Sequence, residues 1–173
     1  MKVWAMKRWA MTAAAAVLLA AGSAQAQLAG DSSAPIDITA DEAEVVNSQC
    51  LAVWRGAAEA LQARTRMRAD VIRVYSTKKG SGCGSTERLE AEGNVYYVTT
   101  DRAMRADTAT YAANSDTVTL TGGVILVEGK NVARGDRLVV NGETGAAEMS
   151  SNAKGRGSPN RVRGVFYPSG GTQ

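Results

Sequence analysis

The sequence predicts an all-β protein, a twisted β-jelly roll or solenoid-like stack of about four repeated units around an apolar interior groove. Three observations predict it. Apolar residues alternate with a period of two in many windows, and no window sustains the 3.6-residue stripe of an amphipathic helix. A small residue followed by Asp recurs at Ala40-Asp41, Ala69-Asp70, Ala106-Asp107 and Gly135-Asp136, with spacings of 29, 37 and 29 between the Asp residues. A glycine recurs at Gly56, Gly93 and Gly122, each 14 residues before the next Asp. Self-similarity on that scale marks a repeat architecture, in which each unit buries its neighbour's exposed face.

Aligned on these anchors, the units place apolar or small residues at matching positions. Three before the Asp stand Ile38, Met67, Met104 and Ala133. Two after it come Ala43, Ile72, Ala109 and Leu138, and four after it Val45, Val74, Tyr111 and Val140. Two before the glycine stand Trp54, Ala91 and Leu120, two after it Ala58, Val95 and Val124, and four after it Ala60, Tyr97 and Leu126. Where a fourth glycine would fall there is Ser151, and Met149 keeps the place two before it. The phase of alternation slips by one at each Asp, so a bend or bulge there is needed to keep both flanking positions inside. Each unit then reads as about four short strands separated by corners, and the units as parallel rungs. The second unit carries eight extra residues around Lys78 to Ser85, a Gly/Ser-rich stretch that reads as a lengthened turn.

The first residues are an export signal. Lys2, Lys7 and Arg8 precede an apolar run from Met11 to Ala21, then Ala24-Gln25-Ala26, which predicts a signal peptide over 1–26 cut between Ala26 and Gln27. The run is about half of the roughly 20 residues that span a bilayer. Flexible segments are expected at 27–34 and 169–173, flanking one β domain over 35–168. The leader carries three of the twenty basic residues and none of the seventeen acidic ones, so the remaining chain is neutral, and the overall basicity gives no support to nucleic-acid binding. Every charge after Glu148 is positive: Lys154, Arg156, Arg161 and Arg163. That basic tail could dock on an acidic partner, or its Gly, Ser and Pro content could leave it partly disordered.

Histidine is absent, which removes Ser-His-Asp and Cys-His chemistry and the commonest transition-metal ligand. No enzyme, cofactor or metal site is expected. Cys50 and Cys83 fall in the same turn of adjacent units, and in an exported chain a disulfide is the expected state. The four Asp residues, with Arg68, Arg105 and Arg134 two positions ahead of the last three, read as a corner device in which charges of opposite sign neutralise a carboxylate ladder; a calcium or catalytic site is the alternative. Arg64, Arg66 and Arg68 share one strand face and are candidates for phosphate contacts, against a plain solvated face. The larger inward side chains named above, together with Ile36 and Leu89, are the candidates for lining a lipid groove. A packed core is the alternative, but many of the other inward places hold Ala, and acyl chains would fill the space so left.

Several segments together resemble the LptA/OstA family of lipopolysaccharide-transport proteins: IDITADEAEVV, RMRADVIRVY, ERLEAEGNVYYVTTDRAMRADTATYAANSDTVTLTGGVILVEGKNVARGDRLVVN and the closing RVRGVFYP. The resemblance covers most of residues 35 to 168. It implies a β-jelly roll with an apolar groove, in the periplasm, that carries lipopolysaccharide between inner- and outer-membrane complexes. It also implies edge-strand docking with LptC-like and LptD-like jelly-roll domains, and head-to-tail self-association. The edges expected are Pro35 to Ala40 and Asn160 to Tyr167. An envelope-assembly scaffold that uses the edges and binds no lipid is the alternative. The cysteine pair and the eight-residue insertion depart from the family pattern.

Overall fold

The structure, a computed structural model, describes residues 34–168. The expected leader, its cut at Ala26/Gln27, all but the last residue of the 27–34 segment and the 169–173 tail lie outside the described residues. The strands are β1 (Asp37–Thr39), β2 (Glu42–Val46), β3 (Leu51–Gln62), β4 (Thr65–Lys79), β5 (Gly82–Val98), β6 (Arg102–Ala112), β7 (Thr117–Glu128), β8 (Asn131–Asn141), β9 (Ala147–Ser150) and β10 (Arg163–Val165), with one 3-10 turn at Asn47–Gln49. They form a single sheet in the order β1-β3-β4-β5-β6-β7-β8-β10, with β2 also on β3 and β9 also on β8.

Every pairing is antiparallel, which corrects the expectation of parallel rungs. Antiparallel neighbours can be joined by two-residue turns, whereas parallel ones need long crossovers. Such turns are present at Ala63-Arg64, Gly80-Ser81 and Gly129-Lys130. A 29-residue unit is therefore two long bent strands running up and back, not four short ones. The insertion is also different from a long turn. It extends the β4–β5 hairpin, so that Lys79 pairs with Gly82 and only Gly80-Ser81 turn.

All the long strands bend at one line. At each pairing the register breaks where an Asp stands opposite a pair of residues with left-handed backbone. Those pairs are Gly56-Ala57 (φ +81°, +44°), Gly93-Asn94 (+77°, +47°) and Gly122-Gly123 (+83°, +52°). The glycine strands carry one residue more than the Asp strands across this line, a β-bulge. The crease lets Ala69 and Ile72 both be buried, and likewise Ala106 and Ala109, although each pair is an odd number of residues apart. The sheet so folds into two layers that share one apolar interior. We call the layer holding β1 and β10 the lower layer and that holding β2 and β9 the upper layer.

The Asp side chain dictates the glycine. A Cβ on Gly56, Gly93 or Gly122 would sit 2.2, 2.2 or 2.3 Å from an Oδ2 of Asp41, Asp70 or Asp107. The fourth Asp, Asp136, instead accepts hydrogen bonds from the Ser151 hydroxyl and the Asn152 N–H, both at 2.8 Å. Ser151 thus occupies the fourth place of the column, with a hydroxyl where the others have bare backbone.

Cys50 and Cys83 form a disulfide, with Cα atoms 5.4 Å apart. It ties the start of β3 to the extended β4–β5 hairpin. Closing a loop of 33 residues is worth about 3 to 4 kcal/mol in the chain-entropy view.

Gly93→Ala should cost about 1–3 kcal/mol, because a left-handed backbone and a collision with Asp70 oppose the same methyl. Gly123→Ala, with nothing within 4 Å of its Cβ, meets only the backbone strain and should cost less. Urea unfolding of the two variants checks the order, and equal costs would remove the Asp contact as the cause.

Candidate functional site: an apolar interior between two layers

The interior is built from alternate residues of every strand. From the lower layer come Ala60, Met67, Val95, Tyr97, Met104 and Val124; from the upper layer come Ile72, Leu89, Ala91, Tyr111, Leu120 and Leu138. All are at most 5 % exposed. Trp54, Val74, Leu126, Val140, Met149, Ile36 and Ile38 pack against this cluster and are partly buried. The sequence-predicted groove residues thus face one space, with one exception. Val45 points to the same side, opposite Ala52, but is 65 % exposed, and its neighbour Ala43 is exposed too. β2 is the first strand of the upper layer, and no further strand among the described residues covers it. The far edge is similar: Phe166, whose ring lies over Gly164, is 73 % exposed and Val162 46 %. Between closed centre and uncovered ends, the apolar face runs the full width of the sheet.

Tyr97 reports on the centre. Burial pushes its phenol up to about 12, with the Asp116 carboxylate and the Tyr111 ring adding to the effect, so it stays neutral across the physiological range.

Opposite the crease, the two rows of turns meet along a seam. Arg102, at the lower rim, donates through Nε to Glu128 at 2.9 Å and through a terminal nitrogen to the Gly145 carbonyl at 3.0 Å. Gly145 belongs to the β8–β9 turn of the upper layer, so this guanidinium clasps one layer to the other. Sequence reasoning missed Arg102, since its partners lie 26 and 43 residues away and no motif joins them. Arg102 also lies 3.7 Å from Asp101.

Arg64, Arg66 and Arg68 do come together. With Leu61, Ala63, Tyr96 and Val98 they line a cleft of about 570 Å³. It lies on the outer face of the lower layer, because Arg66 and Arg68 point away from the side that Met67 fills. Arg66 reaches Glu59 at 3.3 Å, Arg68 bonds the same carboxylate, and Arg64 has no carboxylate partner among the described residues.

The expected neutralisation of the Asp column by Arg68, Arg105 and Arg134 does not occur. Arg68 bonds Glu59 and Arg105 lies over the Tyr96 ring at 5.7 Å. The Asp residues stand on alternate strands with a glycine strand between, roughly twice the 4.8 Å strand spacing apart. At that distance their mutual repulsion is weak, and neighbouring donors serve two of the carboxylates, Asp70 and Asp136. Asn94 donates to Asp70 at 3.0 Å. The Asn152 N–H, and then the Ser151 hydroxyl, hold the Asp136 carboxyl below its ordinary value.

An antiparallel sheet creased around an apolar, open-ended interior is a β-jelly roll. Residues 37–146 match the family described as LptA/(LptD N-terminal domain) LPS transport protein, and the chain belongs to that family. The match spans β1 to β8; β9 and β10 lie beyond it. The chain is 27% identical over 146 residues to an uncharacterized protein of Rhizobium meliloti (strain 1021), covering 82% of this chain and 78% of that one. Its fold is similar to the crystal structure of LptH, the LptA-homologous periplasmic component of the lipopolysaccharide transport device of Pseudomonas aeruginosa. The TM-score is 0.66 at 21% identity, over 80% of this chain and 99% of that one.

The lowered Asp136 pKa means that its stabilising contribution is present above the unfolded value near 3.8 and is lost as pH falls through the folded value. Ser151→Ala should move that pKa back toward the ordinary value. Carboxyl carbon NMR titration reads it; an unmoved Asp136 would assign the depression to the Asn152 N–H alone.

Proposed function

We propose that this protein is a periplasmic carrier that binds lipopolysaccharide acyl chains in its interior and bridges inner- and outer-membrane transport complexes. The observation that carries the proposal is the apolar face continuing, uncapped, from Val45 at one edge to Phe166 at the other. A packed core needs no such continuity, since its end strands would turn polar side chains outward. A conduit that stacks with like domains does need it.

The edges suit that stacking. Among the described residues no strand pairs with the outer edges of β1 and β2 at one end or of β9 and β10 at the other, and strand addition at both ends is a heterologous, head-to-tail geometry. LptC-like and LptD-like jelly-roll domains, or a second copy of this chain, are the occupants proposed. The buried alanines Ala58, Ala60, Ala91 and Ala109 are where the interior has least side chain to displace.

The closed centre sets the mechanism. Acyl chains enter either from an uncovered edge or through the seam, after the Arg102 clasp to Gly145 opens. Opening there exchanges one interlayer hydrogen bond, Arg102 to Gly145, for hydration, a small net cost, while the Arg102–Glu128 bond stays within the lower layer and the crease keeps the layers joined. Headgroup phosphates emerging over the β3–β4 turn would reach Arg64 first and the Arg66–Glu59–Arg68 cluster next. Guanidinium accepts phosphate in bidentate geometry, so an incoming phosphate competes with Glu59 on equal terms.

Photo-crosslinking residues at Ile38, Tyr97 and Leu126 test the reading in cells. Lipopolysaccharide captured at all three positions is the expected result. Capture of protein alone would replace the carrier with an assembly scaffold. With the crosslinker at Tyr97, Arg102→Ala should raise the lipid yield if the seam is the entrance; an unchanged yield would leave the edges as the only route.

A further inference from the structure

The two outer faces of the folded sheet differ in charge. On the upper layer, cations and carboxylates alternate and pair: Arg55 with Glu44 at 3.0 Å, Arg73 with Glu92 at 2.7 Å, Arg88 with Glu90 at 2.9 Å. On the lower layer the outward positions carry Arg66, Arg68, Arg105, Arg134 and Arg163, with Arg64 and Lys130 in its turns, against Asp37 and Glu59 on the strands and Asp101 in the β5–β6 turn. Among the described residues, Arg105, Lys130, Arg134 and Arg163 have no carboxylate partner.

Two of these cations oppose each other directly. Arg163 on β10 is the register partner of Arg134 on β8, and like charges facing across a strand pair repel. With Lys130, Val132, Val165 and Tyr167 they line a second cleft, of about 360 Å³. An anion between the guanidiniums would turn a repulsive pair into a bridged one.

Apolar groups interrupt the cations on this same face. Tyr96 is 45 %, Val127 36 %, Val165 43 % and Tyr167 60 % exposed, which makes four of the seven exposed large hydrophobic side chains. The cations and apolar tips interleave from β4 to β10, six strands or about 25 Å across.

We infer that the outer face of the lower layer is a docking surface for an anionic bilayer, its cations meeting lipid phosphates and its tyrosines and valines entering the headgroup layer. Charge complementarity picks the partner. The cations are spread from β4 to β10 across two clefts instead of gathered in one pocket, and mobile anionic headgroups can find each of them. Tyr side chains with an apolar body and a polar tip suit that interface. Held flat this way, the protein keeps both sheet edges free but lays its head-to-tail axis parallel to the membrane, so docking on the bilayer and spanning the periplasm are alternative placements of the same domain. The inference concerns the face opposite the interior; it shares Arg64, Arg66 and Arg68 with the headgroup contacts proposed above, and Arg105, Arg134 and Arg163, which that reading does not use, test it separately.

Vesicle flotation of the exported protein tests it, using phosphatidylcholine vesicles with and without phosphatidylglycerol and no lipopolysaccharide. Binding to the anionic vesicles only, lost at high salt, is expected. The triple variant Arg105→Gln, Arg134→Gln and Arg163→Gln should weaken it on the order of a hundredfold, at about fivefold per cation. The upper-layer variant Arg137→Gln should bind as the parent does. Unfolding curves of the triple variant, and its lipopolysaccharide capture at Leu126, confirm an intact fold and interior. Equal flotation with both vesicle types, parent-like binding by the triple variant, or an equal loss with Arg137→Gln would each overturn the inference.

Discussion

The contact between an Asp carboxylate and a glycine or serine on the next strand is the constraint on which the rest of this structure depends. It appears between Asp41 and Gly56, Asp70 and Gly93, Asp107 and Gly122, and Asp136 and Ser151. The three glycine contacts each sit at a bulge, and the bulges line up because antiparallel pairing carries the register from strand to strand. One bulge would kink one strand. A line of them folds the whole sheet, and only a folded sheet can bury both flanking positions of an Asp. The interior is thus a consequence of the crease, and the apolar pattern decides only what fills it.

This construction separates stability from access. The crease side is held by covalent continuity of every long strand, since each passes through it unbroken. The seam side is held by side chains such as Arg102 and by contacts between apolar residues of the two layers. Motion that widens the seam leaves the strand ladder intact, whereas motion at the crease would break backbone pairing. Along the other axis, the end strands are short: β1 and β10 have three residues each, and β9 four. Those ends are the easiest part of the sheet to rearrange around an added strand, and the disulfide from Cys50 to Cys83 protects the neighbouring β3–β5 region from the same fraying.

Much of this was legible in the sequence, and the parts that were not have physical causes. The Asp and glycine anchors, the inward positions and the cysteine pair could be read because side-chain chemistry at those places is restrictive. Strand direction was not, because the turn at Ala63-Arg64 has no glycine, proline or Asn-Gly signal; Ala63 itself takes the left-handed backbone, at φ +50°. With that turn hidden, two antiparallel strands looked like one parallel rung. The supposed pairing of Asp70 with Arg68, and its equivalents, failed for a related reason. Residues two apart on one strand share a face only while the strand is straight, and here the crease intervenes. Val45 shows the limit of alternation: the pattern says which way a side chain points, not whether anything covers it.

The arginines left over from that failed pairing gain their meaning from the fold. In a straight ladder they would have been consumed by the Asp residues, and both outer faces would have been neutral. Because the crease instead turns Asp70 and Asp136 to amide and hydroxyl donors, Arg105 and Arg134 remain uncompensated on one face, and β10 adds Arg163 beside them. Folding thus sorts the charges of residues 27–173, which sum to zero, into one paired face and one cationic face. Such an imbalance costs self-repulsion that a neutral arrangement would avoid. The cost recurs on β4, β6, β8 and β10, so it is a property of the whole face, and an anionic partner as broad as the face is what would relieve it.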